Sequence, residues 1–391
     1  MLDIKNFSRL AEVETPFYFY DTDLFGRTAD DLALLSDAYR IKVHYAVKAN
    51  SEERLLRSLS ARGYGADCVS ANEVVLAAQY GFDPGSIMLA GVGKTDKEIR
   101  TSLEVGIGCF NVESIPEMEV IDAIAGGMGV KAPVALRINP NIDPHTHKYI
   151  TTGLEENKFG ISRFEFEAAL DKLKACSNLE MKGLLFHIGS QITDVSNVFG
   201  LEGKCARELV SWFEEKGLKV ENVDFGGGLG VDYEDPDGQP VADFETWMKA
   251  LREYFPVGGP YKLHIEPGRA VVAQCGSLIA RVVYVKKGRT KNFVIVDAGM
   301  NDLIRPALYG AYHKVENLTA SYCRGDNTKD CVYDVVGPIC ESSDVWGEGR
   351  ILRQTLRGDL LAIRTAGAYG RTMSSQYNMR DLPKAVYSDE I

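Results

Sequence analysis

Eight short apolar runs, each followed by a segment with the spacing of an amphipathic helix, constrain this chain more than any other feature. The runs span residues 43–47, 66–69, 87–90, 109–112, 134–138, 184–188, 223–225 and 263–265. Helix-like stretches lie between them, among them 52–61, 71–80, 164–175 and 205–216. Runs this short and this uniformly apolar suit strands buried on both faces. Strands alternating with helices imply a parallel sheet, and eight such units match a (β/α)8 barrel, with a doubly wound open sheet as the competing arrangement. After Gly268 the texture changes. Residues 270–285, 293–296, 332–336 and 360–363 predict strands separated by turns, and 17–20 predicts one more. The expected fold class is therefore α/β: a TIM barrel over residues 22–270, plus a C-terminal antiparallel β domain, barrel-like, of residues 271–391 that also takes up the N-terminal strand within residues 1–21.

The chain has 391 residues, 45% hydrophobic and 25% charged, an ordinary balance for a globular protein. No stretch approaches the ~20 consecutive apolar residues of a membrane span. Residues 1–14 are mixed and charged, without the pattern of a signal or transit peptide, so a cytoplasmic location is expected. A formal charge of −11 argues against nucleic acid as a partner, because phosphate binding needs clustered Lys and Arg. Of eight cysteines none forms a C-x-x-C pair, so no metal site is expected and most thiols read as small core residues.

Polar and glycine residues accumulate where each barrel strand should end, the end at which this architecture carries its active sites. Lys48 follows the first run, Asp67 and Ser70 the second, and His187-Ile-Gly-Ser-Gln191 the sixth. Gly226-Gly-Gly-Leu-Gly230 follows the seventh and Glu266-Pro-Gly-Arg269 the eighth. A lysine at a strand end is commonly a solvated charge; against apolar residues its ammonium is destabilised, which suits covalent chemistry with a carbonyl. The glycine run offers bare backbone N–H groups to a phosphate. It is not a dinucleotide fingerprint, since Val231 stands at the third glycine position, and Gly91-Val-Gly-Lys-Thr95 is not a P-loop, since Met88 stands at its first. Arg269 suits a phosphate dianion. A buried Glu266 needs a cationic partner, which a protonated pyridine nitrogen would supply. His187 is either a hydrogen-bonded core histidine or a flat ring available for stacking.

Taken in order, Tyr45-Ala-Val-Lys-Ala-Asn50, His187-Ile-Gly-Ser-Gln-Ile192, Gly226-Gly-Gly-Leu-Gly230, Glu266-Pro-Gly-Arg269, Gly337-Pro-Ile-Cys-Glu-Ser-Ser-Asp344 and Gly367-Ala-Tyr-Gly370 resemble the pyridoxal 5′-phosphate (PLP)-dependent decarboxylases with an alanine-racemase-like barrel, over essentially the whole chain. The resemblance implies that Lys48 is the Schiff-base lysine, that His187 stacks on the cofactor ring, and that Glu266 pairs with its nitrogen. It implies that Asp67 lies near the lysine and ring. Ser190, Gly226, Gly227, Gly228, Arg269 and Tyr369 hold the phosphate end, with Pro267 and Gly268 completing the eighth strand end. Cys340 is implied as proton donor, and Arg269, Arg305, Tyr309, Glu341 and Tyr369 as the substrate pocket. A homodimer with shared sites is implied too, each partner lending its Cys340–Glu341 loop.

Within that family the pairing of Arg305-Pro-Ala-Leu-Tyr309 with Cys340-Glu341 favours meso-2,6-diaminopimelate, whose second amino-acid head needs a carboxylate receptor and an ammonium receptor. The product is then L-lysine, formed with CO2. A surface salt bridge is the other role open to Arg305. Competing activities are decarboxylation of ornithine, arginine or carboxynorspermidine, racemisation, and a non-catalytic PLP-binding regulator. Racemases of this barrel place an Arg at the pyridine nitrogen, against which Glu266 speaks. Retention of Lys48, Cys340 and Glu266 together speaks against a regulator.

Overall fold

The structure, a computed structural model, describes residues 2, 4–141, 158–325 and 329–391. The chain divides into two compact units, one of Ala29–Gly230 and Asp243–Gly268, the other of Met1–Thr28, Val231–Ala242 and Arg269–Ile391.

Strand β1 (Phe17–Tyr20) belongs to the second unit. The next eight, β2 (Ile41–Ala46), β3 (Gly65–Cys68), β4 (Ile87–Leu89), β5 (Cys109–Val112), β6 (Ala132–Ile138), β7 (Leu179–Phe186), β8 (Asn222–Asp224) and β9 (Lys262–Ile265), form a closed parallel barrel in the first. β9 closes onto β2 with Ile265 opposite Val43, so the arrangement is the barrel and not the open sheet. Each strand falls on one of the eight apolar runs. Ala66, Phe110, Leu136, Leu184 and Ile265 are buried from both sides, which is why these strands show no alternation. Side-chain caps start the following helices close behind the strands. Ser70, Thr95 and Ser114 accept first-turn N–H groups of the helices Ala71–Gln79, Asp96–Val105 and Ile115–Met128.

One helix begins well before its expected position. Val195–Glu215 is continuous, and so begins ahead of the stretch 205–216 expected from the spacing. Gly203 is there for packing: a Cβ on it would lie 2.9 Å from the Tyr254 ring.

In the second unit β10 (Gly276–Lys287) is the spine. It pairs antiparallel with β1, with β11 (Asn292–Val296) and with β15 (Leu360–Ile363); β12 (Val315–Asn317) also pairs with β15. β13 (Asp330–Val336) runs antiparallel to β14 (Val345–Arg353) but parallel to β11, and β16 (Lys384–Tyr387) runs parallel to β1. The sheet is therefore mostly antiparallel with two parallel pairings, and β1 does join it. The predicted strand 270–285 is shorter than expected. Arg269–Val272 is a helical turn and β10 starts at Gly276. All of 270–275 is buried, so apolarity could not separate turn from strand there. Phe17, Phe19, Ile279, Leu318 and Leu360 form the centre of a core that Leu2, Ile4 and Leu10 extend. No helix among the described residues is long and apolar enough to cross a membrane.

Candidate active site

In the barrel unit the chemistry-bearing residues gather at the C-terminal strand ends. Lys48 sits in the turn Val47–Ala49 directly after β2. Buried Tyr45 holds that turn by donating its hydroxyl to the Asn50 carbonyl at 3.0 Å, and the Ala46 N–H donates to the Pro267 carbonyl at 3.1 Å. A Cβ on Gly268 would stand 3.0 Å from both Ala46 and Ala49, so the first and eighth strand ends meet through small residues only. Lys48 Nζ lies 2.6 Å from Asp67 Oδ2 on β3; Asp67 is fully buried, whereas the Lys48 side chain keeps 38% of its surface exposed. The lysine head is thus oriented by an ion pair rather than set among apolar groups as its neighbours in sequence suggested.

Glu266 follows β9 and is buried; Asn111 Nδ2 on β5 donates to its Oε1 at 3.3 Å. Burial first, then the charges of Asp224 and Asp67, push the Glu266 carboxyl well above the usual range, against the pull of Lys48 and Arg137. Asp224, the last residue of β8, is pushed up to about 7 by burial and by Asp67, while the Gly226 N–H pulls the other way. Glu202, on the helix Val195–Glu215, is fully buried, and neither of its carboxylate oxygens has a hydrogen-bond partner among the described residues; burial and Asp224 push it up as well. Arg137 on β6 pairs with buried Glu113 at 2.8 Å.

Desolvation first, then the like charges of Arg137 and Lys48, hold His187 well below its ordinary value, so the ring is neutral. The Gly227 N–H donates to its Nδ1 at 3.1 Å, which puts the ring proton on Nε2. The glycine turn itself tolerates nothing larger. A Cβ on Gly226 would meet the His187 ring at 2.6 Å and one on Gly227 the Glu266 carbonyl at 2.5 Å. Gly226 and Gly228 have φ of +62° and +118°. The segment carrying Ser190 is tied to this turn by Ile192 N–H to the Gly228 carbonyl and Gly230 N–H to the Ile192 carbonyl, both at 2.9 Å.

The β unit carries a cluster of opposite sign. Arg269 Nη1 donates to the Tyr233 hydroxyl at 2.5 Å, and its guanidinium lies 4.9 Å from the Tyr369 ring centre. Buried Arg305, in the short helix Arg305–Tyr309, lies 5.2 Å from the Tyr233 ring and 5.9 Å from the Tyr309 ring. Its Nε donates to His313 Nε2 at 3.3 Å, and His313 Nδ1 meets the Arg364 carbonyl at 2.9 Å. Burial, then Arg305, lowers His313 to about 3, so this histidine is a fixed neutral acceptor. No carboxylate of the described residues pairs with Arg305, which excludes the surface salt bridge.

Cys340 and Glu341 stand apart in an exposed turn after β13. Asp344 pins that turn by accepting the Ile339 and Met300 N–H groups, each at 2.7 Å, and Tyr377 donates its hydroxyl to Glu341 Oε1 at 2.7 Å. Among the described residues, the hydrogen-bond partner of Glu341 is Tyr377, not a member of the arginine cluster. The structure thus brings Lys48, Asp67, Glu266, His187 and the glycine turn together in one unit, and Arg269, Arg305, Tyr309 and Tyr369 in the other, with the cysteine turn separate.

Sequence reasoning missed Asn111, Arg137, Asp224, Tyr233, His313 and Tyr377. The first two left a signal, a polar residue inside an otherwise apolar strand run, and Asp224 stood directly before the glycine run. Tyr233, His313 and Tyr377 left none. No group of three or more potential metal ligands occurs among the described residues.

The chain is similar to known proteins along nearly its whole length. Residues 27–273 match the family model described as the pyridoxal-dependent decarboxylase pyridoxal binding domain. The diaminopimelate decarboxylase of Bacteroides thetaiotaomicron is 49% identical over 380 residues, which is 97% of this chain and 97% of the relative. The crystal structure of the Helicobacter pylori diaminopimelate decarboxylase complexed with L-lysine superposes with a TM-score of 0.89 at 37% identity, covering 97% of this chain and 94% of that one. The arginine decarboxylase of Paramecium bursaria Chlorella virus, bound to agmatine, superposes at 0.85 over 98% of both chains with 22% identity, a likeness of fold alone. The chain belongs to the pyridoxal-dependent decarboxylases, in the diaminopimelate decarboxylase branch of that family.

Proposed function

We propose that this enzyme decarboxylates meso-2,6-diaminopimelate to L-lysine and CO2 with PLP as cofactor, in the cytoplasm. The observation that carries the substrate is Arg305, a buried guanidinium without a carboxylate partner among the described residues. A buried cation left so is unfavourable unless a ligand supplies the anion, and a distal carboxylate does. Ornithine and arginine have no such group.

The residues fit PLP. The glycine turn, packed so closely on His187, Glu266 and Gly189 that no Cβ fits, presents bare backbone; the neutral His187 offers a flat face; and the buried, acid-surrounded Glu266 needs a cation such as a protonated ring nitrogen. When bound, PLP supplies an electron sink for the bond that releases CO2. Lys48 anchors it covalently and Asp67 orients the lysine head. Glu266 keeps the ring nitrogen protonated. Gly226, Gly227, Gly228 and Ser190 serve the phosphate from the barrel unit, through the Gly228 N–H, since the Gly226 and Gly227 N–H groups are given to Asp224 and His187; Arg269 and Tyr369 serve it from the other unit, and Pro267 and Gly268 complete the eighth strand end. Arg305 and Tyr309 take the distal carboxylate end of the substrate, together with Arg269 and Tyr369, and Glu341 takes the distal ammonium. Cys340 delivers a proton to the carbon that has lost its carboxylate.

We further propose a homodimer in which Cys340 and Glu341 serve the partner's barrel. Both lie in an exposed turn, and a proton donor must reach the substrate carbon. Incubating the PLP-loaded protein separately with meso-diaminopimelate, ornithine, arginine and lysine, and assaying CO2 and amine products, tests the assignment. Release of CO2 from diaminopimelate alone is expected, and faster turnover of ornithine or arginine would overturn it.

A further inference from the structure

We infer that Asp224 is a positioning residue for the cofactor, acting through the glycine turn on phosphate, ring and ring nitrogen together; the inference rests on the assignment of Gly226, Gly227 and Gly228 to the phosphate. Asp224 ends β8, and its Oδ1 accepts the Gly226 N–H at 2.8 Å. That bond holds Gly226 in the left-handed region, at φ +62°. Turned this way, the Gly226 carbonyl accepts the Glu266 N–H at 2.6 Å, and the next N–H, that of Gly227, reaches His187 Nδ1 at 3.1 Å. One carboxylate therefore sets the start of the phosphate turn, the backbone of the residue assigned to the ring nitrogen, and the tautomer of the residue assigned to the ring face.

Packing does not account for an acid at this place. Asp224 is buried, its Oδ2 has no hydrogen-bond partner among the described residues, and its neighbours Asp67, Glu266 and Glu202 are acids too. An acceptor of ordinary strength would leave the barrel more stable. With its carboxyl pushed up to about 7, Asp224 is ionised in part at neutral pH, and in that form its bond to the Gly226 N–H is roughly twice as strong as one to a neutral acceptor.

The test uses the full-length protein stripped of PLP. PLP is titrated into wild type, Asp224→Asn, Asp224→Ala and Gly227→Ala, with thermal melting of each cofactor-free protein and the ³¹P resonance of bound PLP recorded alongside. Asp224→Asn keeps an acceptor and should lose several-fold in affinity; Asp224→Ala should lose at least tenfold and shift the ³¹P resonance. The cofactor-free Asp224→Asn should melt no lower than wild type, so affinity and stability part company. Affinity within twofold of wild type for Asp224→Ala, or losses that simply follow the melting temperatures, overturns the inference. Gly227→Ala separates the two claims. If it binds PLP as wild type does, the phosphate assignment fails and the inference with it. If it loses PLP while Asp224→Ala does not, only the inference fails.

Discussion

The two units bury charge of opposite sign: acids outnumber their partners at the mouth of the barrel, and arginines gather in the β unit. The mouth of the barrel holds Asp67, Asp224, Glu266 and, behind them, Glu202, against Lys48 and Arg137, and Arg137 is already engaged by Glu113. The β unit holds Arg269 and Arg305 among Tyr233, Tyr309 and Tyr369, with a neutral His313 as the acceptor for Arg305. Buried charge without a counter-charge is expensive, so each cluster describes the ligand group that completes it. The acids call for a cation, as a protonated ring nitrogen is; Arg305, with no carboxylate partner among the described residues, calls for an anion, as a carboxylate is.

The largest effect tests whether sites are completed across subunits. Lys48→Ala and Cys340→Ala should each lose at least ~10²–10⁴-fold in CO2 release, the scale on which proton transfer and covalent anchoring contribute. Mixing the two under conditions of subunit exchange should recover up to roughly a quarter of wild-type activity, because about half of the dimers are then mixed and each of those carries one intact site of its two. No recovery despite demonstrated exchange would show that each chain supplies its own cysteine.

Glu266→Gln should act with opposite signs on the two states of the protein. In the loaded enzyme kcat should fall by about 10–100-fold, the scale of one charged hydrogen bond. The cofactor-free protein should melt no lower at neutral pH, because the substitution removes an acid that burial and its neighbours already disfavour. A matching loss in both would make Glu266 a structural residue.

On the arginine side, Arg305→Ala should lower kcat/KM for diaminopimelate at least tenfold, mainly through KM, again on the scale of a charged hydrogen bond. Any slow turnover of ornithine should be unaffected. An unchanged value with diaminopimelate removes Arg305 from the pocket.

His313→Gln carries the smallest effect, a two- to tenfold rise in KM, about one neutral hydrogen bond. Its pH signature is sharper. The folded chain lowers His313 to about 3 from an ordinary 6.5. The unfolded chain therefore takes up this proton first, so the contribution to stability is complete above about 6.5 and fades as pH falls towards 3. Melting of the variant should lose part of its slope across that window; an identical slope would show that His313 is not held neutral.

Much of this arrangement was legible in one dimension. A parallel barrel buries its strands on both faces, so eight apolar runs announced eight strands, and a short βα connection puts the residue after each run at the mouth. Lys48, Asp67, His187, the glycine turn and Glu266 could be named for that reason. The helix Val195–Glu215 starts ahead of the expected stretch 205–216, and β10 starts at Gly276 rather than at 270 because a buried turn is as apolar as a strand. Strands β12 and β16 were not expected, since their residues pair with segments far away in the chain; β14 was not expected either, although it pairs with the preceding β13.

The chain by itself determined which residues stand at each strand end, because periodicity and turn chemistry are local properties. Only the tertiary structure decided what those residues are. It put Lys48 on Asp67, gave His187 its tautomer through Gly227, set Asp224 to fix that glycine turn, and left Arg305 with His313 instead of a carboxylate. Ionisation, tautomer and side-chain direction follow from burial and from the charges nearby, and those neighbours are assembled from distant parts of the chain.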